Sequence, residues 1–121
     1  MAKVLIVDDD PDFVSAVTIV LESAGHIVSK AYSRQEGMQV FAKEKPDIVV
    51  LDVMMQEPDD GFVMAQDLKA KARVPILMLT NVGQVTGLDF DKDSEMVPVD
   101  AFESKPIKPS VLLERINQLL Q

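Results

Sequence analysis

The chain contains no cysteine. That excludes a disulfide framework, a thiolate zinc site and a cysteine nucleophile, and it suits a reducing compartment, so a cytoplasmic setting is expected. Positive charge is scarce as well: 12 Lys and Arg stand against 20 Asp and Glu, a formal net charge of −8. Such a surface repels the phosphate backbone and anionic lipid alike, so neither a nucleic acid nor a membrane is expected as a direct partner. Long apolar runs are missing too. The run Val4-Leu5-Ile6-Val7 is too short for a signal peptide or a membrane span and is stopped by three aspartates. Phosphate loops of the form Gly-x-Gly-x-x-Gly or Gly-x-x-x-x-Gly-Lys are absent, and no linker, internal repeat or low-complexity tract breaks the chain.

What remains is 121 residues with 47% apolar content, read as one domain over 1–121 with a single core. Val4 to Val7, Ile48 to Leu51 and Ile76 to Leu79 are unbroken and rich in β-branched residues, as strands buried on both faces of a parallel sheet are. Ile27 to Tyr32 carries Ser29 and Lys30 and suits an edge; Val99 to Phe102 is read as a fifth strand. Helices fall between. Phe13, Val14, Val17, Val20, Leu21 and Ala24 share one helical face, with Asp10 as cap, Pro11 in the first turn and Gly25 past the end. Ser33 and Glu36 predict a capping box ahead of Met38, Phe41 and Ala42, and Lys45-Pro46 ends that helix. A third helix starts near Gly61 with Phe62, Ala65, Leu68 and Ala72, and a last one after Pro109 carries Leu112, Leu113, Ile116, Leu119 and Leu120. Strand and helix thus alternate, which predicts a doubly wound α/β fold with a five-stranded parallel sheet and helices on both faces. From Asn81 to Pro98 the alternation asks for another helix, but Gly83, Gly87, β-branched residues and an acidic run predict a short helix or a loop.

In such sheets ligands bind beyond the carboxyl ends of the strands. There the sequence places Asp8, Asp9 and Asp10 after the first strand, Asp52 at the end of the third, Thr80 at the end of the fourth, and Lys105-Pro106 after the fifth. Carboxylates gathered at one edge raise each other's proton affinity unless a cation compensates, and an oxygen-rich set suits magnesium. A carboxylate can also act as a nucleophile towards phosphorus, provided a metal, an ammonium and a hydroxyl neutralise the equatorial oxygens. Asp10, beside Pro11, is expected to cap the helix and not to bind metal.

These segments together resemble the receiver domain of two-component response regulators. The resemblance rests on Val4 to Pro11, Pro46 to Met55, Asp60-Gly61, Pro75 to Thr80 and Lys105-Pro106, and it spans nearly all of the chain. It implies a flavodoxin-like strand order 2-1-3-4-5, with Asp52 as phosphoacceptor supplied by a histidine kinase or histidine phosphotransfer protein. It further implies magnesium held by Asp9, Asp52 and the backbone carbonyl of Met54, with Asp8 a ligand through water. Thr80 and Lys105 would contact the phosphoryl oxygens, Phe102, three residues before Lys105, would be the aromatic switch residue, and Pro106 would be structural. A receiver signals to a downstream protein by conformational change, as a monomer or weak dimer, and catalyses only its own phosphorylation and dephosphorylation. Met54 and Val82, apolar where the family lines the path of attacking water, imply slow self-dephosphorylation. The loop between Asp52 and Gly61 is one residue longer than the family's usual spacing.

An alternative is a receiver-like interaction module that is never phosphorylated, against which stands the complete set Asp8, Asp9, Asp52, Thr80 and Lys105. A phosphohydrolase of the haloacid dehalogenase type would carry an acid-base aspartate two residues past its nucleophile, where this chain has Met54. A flavodoxin-like carrier would need its first loop to cradle phosphate, which Asp8-Asp9-Asp10 would repel. His26 lies in a turn away from the strand ends. Asp89 to Ser94 echoes the start of a calcium loop, but position six is Ser94 and position twelve is Asp100, so a solvated acidic loop is expected.

Overall fold

The computed structural model describes residues 2–52, 60–81, 100–105 and 107–120. Five strands, β1 (Lys3–Val7), β2 (Ile27–Ala31), β3 (Ile48–Asp52), β4 (Ile76–Asn81) and β5 (Ala101–Lys105), form one parallel sheet in the order 2-1-3-4-5. Four helices are described: α1 (Pro11–Ser23), α2 (Arg34–Glu44), α3 (Asp60–Lys71) and α4 (Pro109–Leu119). The chain moves outward from β1 to β2 and then returns past β1 to β3. This reversal opens a crevice at the carboxyl ends of β1 and β3.

The two-residue period of the strands sorts the core into two layers. Val4, Ile6, Ile48, Val50, Leu77 and Leu79 face α1 and α4, where they meet Val14, Val17, Leu21, Leu112 and Ile116. Leu5, Val7, Val49, Leu51, Ile76 and Met78 face the other way and pack with Met64, Ala65 and Leu68 of α3. Burial on both sides explains why the central strands read as continuous apolar runs. Each fully buried Leu or Ile side chain contributes roughly 1.5–3 kcal/mol.

The helix ends follow local chemistry. Asp10 caps α1 by accepting from the amides of Asp12 (3.0 Å) and Phe13 (3.3 Å), and Gly25 leaves the helix at φ 91°. Ser33 accepts from the Glu36 amide at 3.1 Å, but the Glu36 carboxylate reaches one residue further back than a capping box requires, to the Tyr32 amide at 2.6 Å. Lys45, at φ 49°, closes α2 before Pro46, which cannot donate to a further helical turn. Ala24 and Ala42, placed on the apolar faces by their spacing, are exposed.

β5 starts at Ala101 and runs through Lys105, so Lys105 lies on the strand and not beyond it. Its later residues are polar because their partners are distant: Glu103 pairs with Arg115 of α4 at 2.8 Å, and Lys105 turns to the first loop. Asn81 is the last residue of β4, paired with Lys105, and not the start of a loop. Residues 82–99 lie outside the described residues, and with them the expected short helix or loop and most of the calcium-like run. No helix among the described residues is long and apolar enough to cross a membrane.

Candidate functional site at the carboxyl edge of the sheet

Asp8 follows β1 directly. Its amide donates to Ala31 O at 3.1 Å, carrying the β1–β2 ladder one step beyond the strand, and its Oδ1 accepts from the Asp10 amide at 2.9 Å. These bonds turn the chain into α1 and fix the carboxylate, which is only 1% exposed. Asp9 beside it is exposed. Asp52 ends β3, next to β1 in the sheet, and is buried at 6% exposure. Lys105 ends β5 and brings its ammonium to 2.6 Å from Asp8 Oδ2 and 3.3 Å from Asp52 Oδ1. The same nitrogen lies 4.4 Å from the centre of the Phe13 ring.

Burial drives the Asp52 carboxyl up to about 6 from its ordinary 3.8; the charge of Asp8 adds to the rise, and Lys105 opposes it. Asp8 is raised for the same first reason, against the Lys105 and Asp10 hydrogen bonds. Burial works against the Lys105 charge, yet its bond to Asp8 and the attraction of both carboxylates hold its pKa above that of an ordinary lysine. One ammonium therefore serves two buried carboxylates, and the pocket favours further positive charge. One carboxylate oxygen each from Asp8, Asp9 and Asp52 lie within 4.8 Å of one another, the hard-oxygen donor set that suits a divalent cation such as magnesium.

The model of the response regulator receiver domain matches residues 4–117. The chain belongs to that family. This receiver is 37% identical over 123 residues to the probable transcriptional regulator ycf27 of Pyropia yezoensis, covering 98% of the chain and 47% of that protein. It is 35% identical to the DNA-binding dual master transcriptional regulator RpaA of Synechocystis, covering 100% of the chain and 50% of that protein. It thus spans about half the length of the curated relatives it matches. Among solved structures it resembles the BeF3-activated N-terminal receiver domain of Klebsiella pneumoniae RstA, with a TM-score of 0.83, 30% identity and 98% coverage of both chains. The N-terminal domain of the nisin resistance regulator NsrR superposes with a TM-score of 0.86 at 26% identity, covering 100% of this chain and 99% of that one.

The receiver fold therefore gathers Asp8, Asp9, Asp52 and Lys105 at one crevice. Thr80 stands at the carboxyl end of β4, one residue beyond Leu79, the partner of Asp52 in the sheet. Phe102 pairs with Met78 in β5 and is half-buried against the core layer shared with α3. Met54, Val82 and Pro106 lie outside the described residues. His26 sits at the opposite edge, where its Nδ1 accepts from the Ala2 amide at 3.2 Å. That edge carries a cleft of about 580 Å³ lined by Ala2, His26, Asp47 and Pro75, remote from the carboxylates and without their chemistry.

Sequence reasoning missed two contacts. Arg34 Nε approaches the buried Asp60 at 3.4 Å, tying the first turns of α2 and α3 together. The Phe13 ring faces Lys105. Nothing local in the sequence signals either contact, because each joins elements that meet only in the folded sheet.

Proposed function

We propose that this receiver accepts a phosphoryl group on Asp52 from a histidine kinase or histidine phosphotransfer protein and relays the change to a downstream protein. One observation carries this function: a buried carboxylate at the end of β3, with Asp8 and Asp9 oxygens within 4.8 Å and the Lys105 ammonium at 3.3 Å. An Asp52 oxygen forms the new bond to phosphorus while the donor's bond breaks and its electron pair leaves with the donor. Lys105 stands ready to neutralise one equatorial oxygen, and Thr80, by its place at the end of β4, to bond another. Asp8, Asp9, Asp52 and the Met54 carbonyl would hold magnesium, which supplies charge neutralisation at the phosphoryl oxygens when bound.

Thr80 and Phe102 form the switch: Phe102 lies two residues before Ser104, the β5 partner of Thr80, so a shift of Thr80 towards a phosphoryl group is felt along β5. Pro106, next to Lys105 in the sequence, is assigned a structural role. The unit takes in residues 1–121, acts in the cytoplasm as a monomer or weak dimer, and turns over no substrate beyond its own phosphorylation and dephosphorylation. Its net charge of −8 favours a protein partner over nucleic acid for this unit.

Incubation with acetyl phosphate and magnesium, followed by intact-mass measurement, tests this function. One added phosphoryl group is expected, and none after Asp52→Asn. Undiminished labelling of Asp52→Asn would overturn the assignment of the acceptor. Absence of labelling in the wild-type chain would instead favour a receiver-like interaction module.

A further inference from the structure

We propose that Phe13 is a positioning residue for phosphoryl acceptance, holding the Lys105 ammonium at the mouth of the carboxylate pocket through a cation–π contact; the proposal rests on the phosphoacceptor function given above. A lysine is a poor fixed electrode. Its four-carbon stem has several rotatable bonds and its ammonium is a strongly hydrated point charge, so it needs walls to stay in one place. The structure supplies three neighbours to that nitrogen: Asp8 at 2.6 Å, Asp52 at 3.3 Å and the centre of the Phe13 ring at 4.4 Å. The carboxylates draw the ammonium towards the centre of the sheet edge. The ring stands on the α1 side and offers the negative face of its quadrupole, well within the roughly 6 Å over which such contacts act. Because the Lys105 side chain is 17% exposed, this attraction is only partly screened by water.

Phe13 is also held in register with the pocket. It is the third residue of α1, and its amide donates to the Asp10 carboxylate at 3.3 Å. The Asp10 amide in turn donates to Asp8 Oδ1 at 2.9 Å. The cap that starts the helix thus connects the backbone carrying the ring to the carboxylate that Lys105 bonds. Lys105 and Glu103 project from the same face of β5, the face covered by α1 and α4, which is why a residue of α1 can reach the ammonium.

The ring has a second role from which the first must be separated. With Ala16, Val17, Val20, Ile107 and Leu112 it lines an apolar groove of about 180 Å³ between α1 and α4. A leucine would fill part of that space but carries no quadrupole. The discriminating series keeps ring volume nearly constant and removes the negative face stepwise: Phe13 replaced by mono-, di- and trifluorophenylalanine in the full chain, with Phe13→Tyr and Phe13→Leu alongside. Two readouts are taken, the rate of labelling by acetyl phosphate with magnesium and the affinity for beryllofluoride.

Both should fall with each added fluorine, to a total of about three- to tenfold, a range set by cation–π strengths between exposed and desolvated sites. Tyr should retain near wild-type values and Leu should match the most fluorinated ring. A flat fluorine series with normal wild-type labelling would overturn the role of Phe13 and leave the acceptor function standing, even if Phe13→Leu fails to fold. A wild-type chain that takes no label would overturn the acceptor function and this proposal with it.

Discussion

Lys105 Nζ donates to Asp8 Oδ2 at 2.6 Å across 97 residues of sequence, a shorter contact than the 3.3 Å between the same nitrogen and Asp52. The cation is therefore bonded first to a carboxylate proposed to bind metal, and stands second to the proposed nucleophile. Asp52 keeps a raised proton affinity in consequence, since burial and the charge of Asp8 outweigh what Lys105 offers it.

Removing that cation should be costly to the fold. Lys105→Met leaves Asp8 and Asp52 buried without their shared ammonium, and breaking a buried pair from one side costs about 3 kcal/mol. Urea denaturation without divalent cation should show a loss of that order. Magnesium should restore part of it by neutralising the same carboxylates, whereas labelling of Asp52 should remain depressed. An unchanged denaturation midpoint would mean that water already screens the pair.

Asp52 should impose a pH dependence of definite sign. Its pKa in the fold is raised to about 6 from 3.8, so the native state holds a proton that the unfolded chain releases. Its contribution to stability is then neutral below about pH 4, declines as pH rises from about 4 to about 6, and stays destabilising above that. The gap corresponds to at most about 3 kcal/mol, by the 1.36 kcal/mol that each pKa unit represents. Asp52→Asn should therefore stabilise the protein at pH 7 in the presence of a chelator and flatten the decline of stability between pH 4 and 6. Asp8, shifted in the same direction, leaves a residual slope. A variant less stable than wild type at pH 7 would contradict the direction of the shift.

Magnesium should raise the melting temperature, since a ligand that binds the native state alone stabilises it by about 2.7 kcal/mol at a hundredfold excess over its dissociation constant. Asp9 offers the cleanest variant. It is exposed, so Asp9→Ala disturbs no packing, yet it supplies one of the three clustered oxygens. Calorimetry should find wild-type stability without metal and a much smaller rise with it. A full magnesium-dependent rise in Asp9→Ala would remove that residue from the metal site.

The legible parts of this molecule are those written locally. Apolar runs ended by Asp8 and Asp52 mark buried strands with a polar carboxyl edge, and Asp10-Pro11 and Ser33 mark helix starts by hydrogen bonds that span three residues or fewer. The candidate site was legible because strand ends converge in a parallel sheet whatever the loops do. β5, expected over Val99 to Phe102 and found over Ala101–Lys105, is less legible for the opposite reason. Glu103 and Lys105 look like loop residues until Arg115 and Asp8 are beside them, and those partners come from other elements. The Phe13–Lys105 and Arg34–Asp60 contacts are of the same kind. Glu36 bonded Tyr32 instead of Ser33 because a glutamate stem reaches either amide, a choice that residue spacing does not encode.

Gly37 carries the last prediction. It lies in α2 against α3 and β1, and a Cβ built there would stand 2.8 Å from Met64 Cε, 3.1 Å from Met64 Sδ and 3.1 Å from Val7 Cγ1. Alanine is favoured over glycine inside a helix by about 1 kcal/mol, while overpacking costs about 1–3 kcal/mol. The Met64 end is flexible and can swing aside, but Val7 is a β-branched residue of a central strand and has little freedom to yield. Gly37→Ala should therefore be destabilising by about 1 kcal/mol net. Val7 immediately precedes Asp8, so the displacement should also weaken magnesium binding a few-fold, an effect outside the reach of a purely surface helix. Combining Gly37→Ala with Met64→Val removes the two thioether contacts and should recover part of the stability but not the metal affinity. A single variant more stable than wild type would show that both neighbours yield and that helix propensity decides.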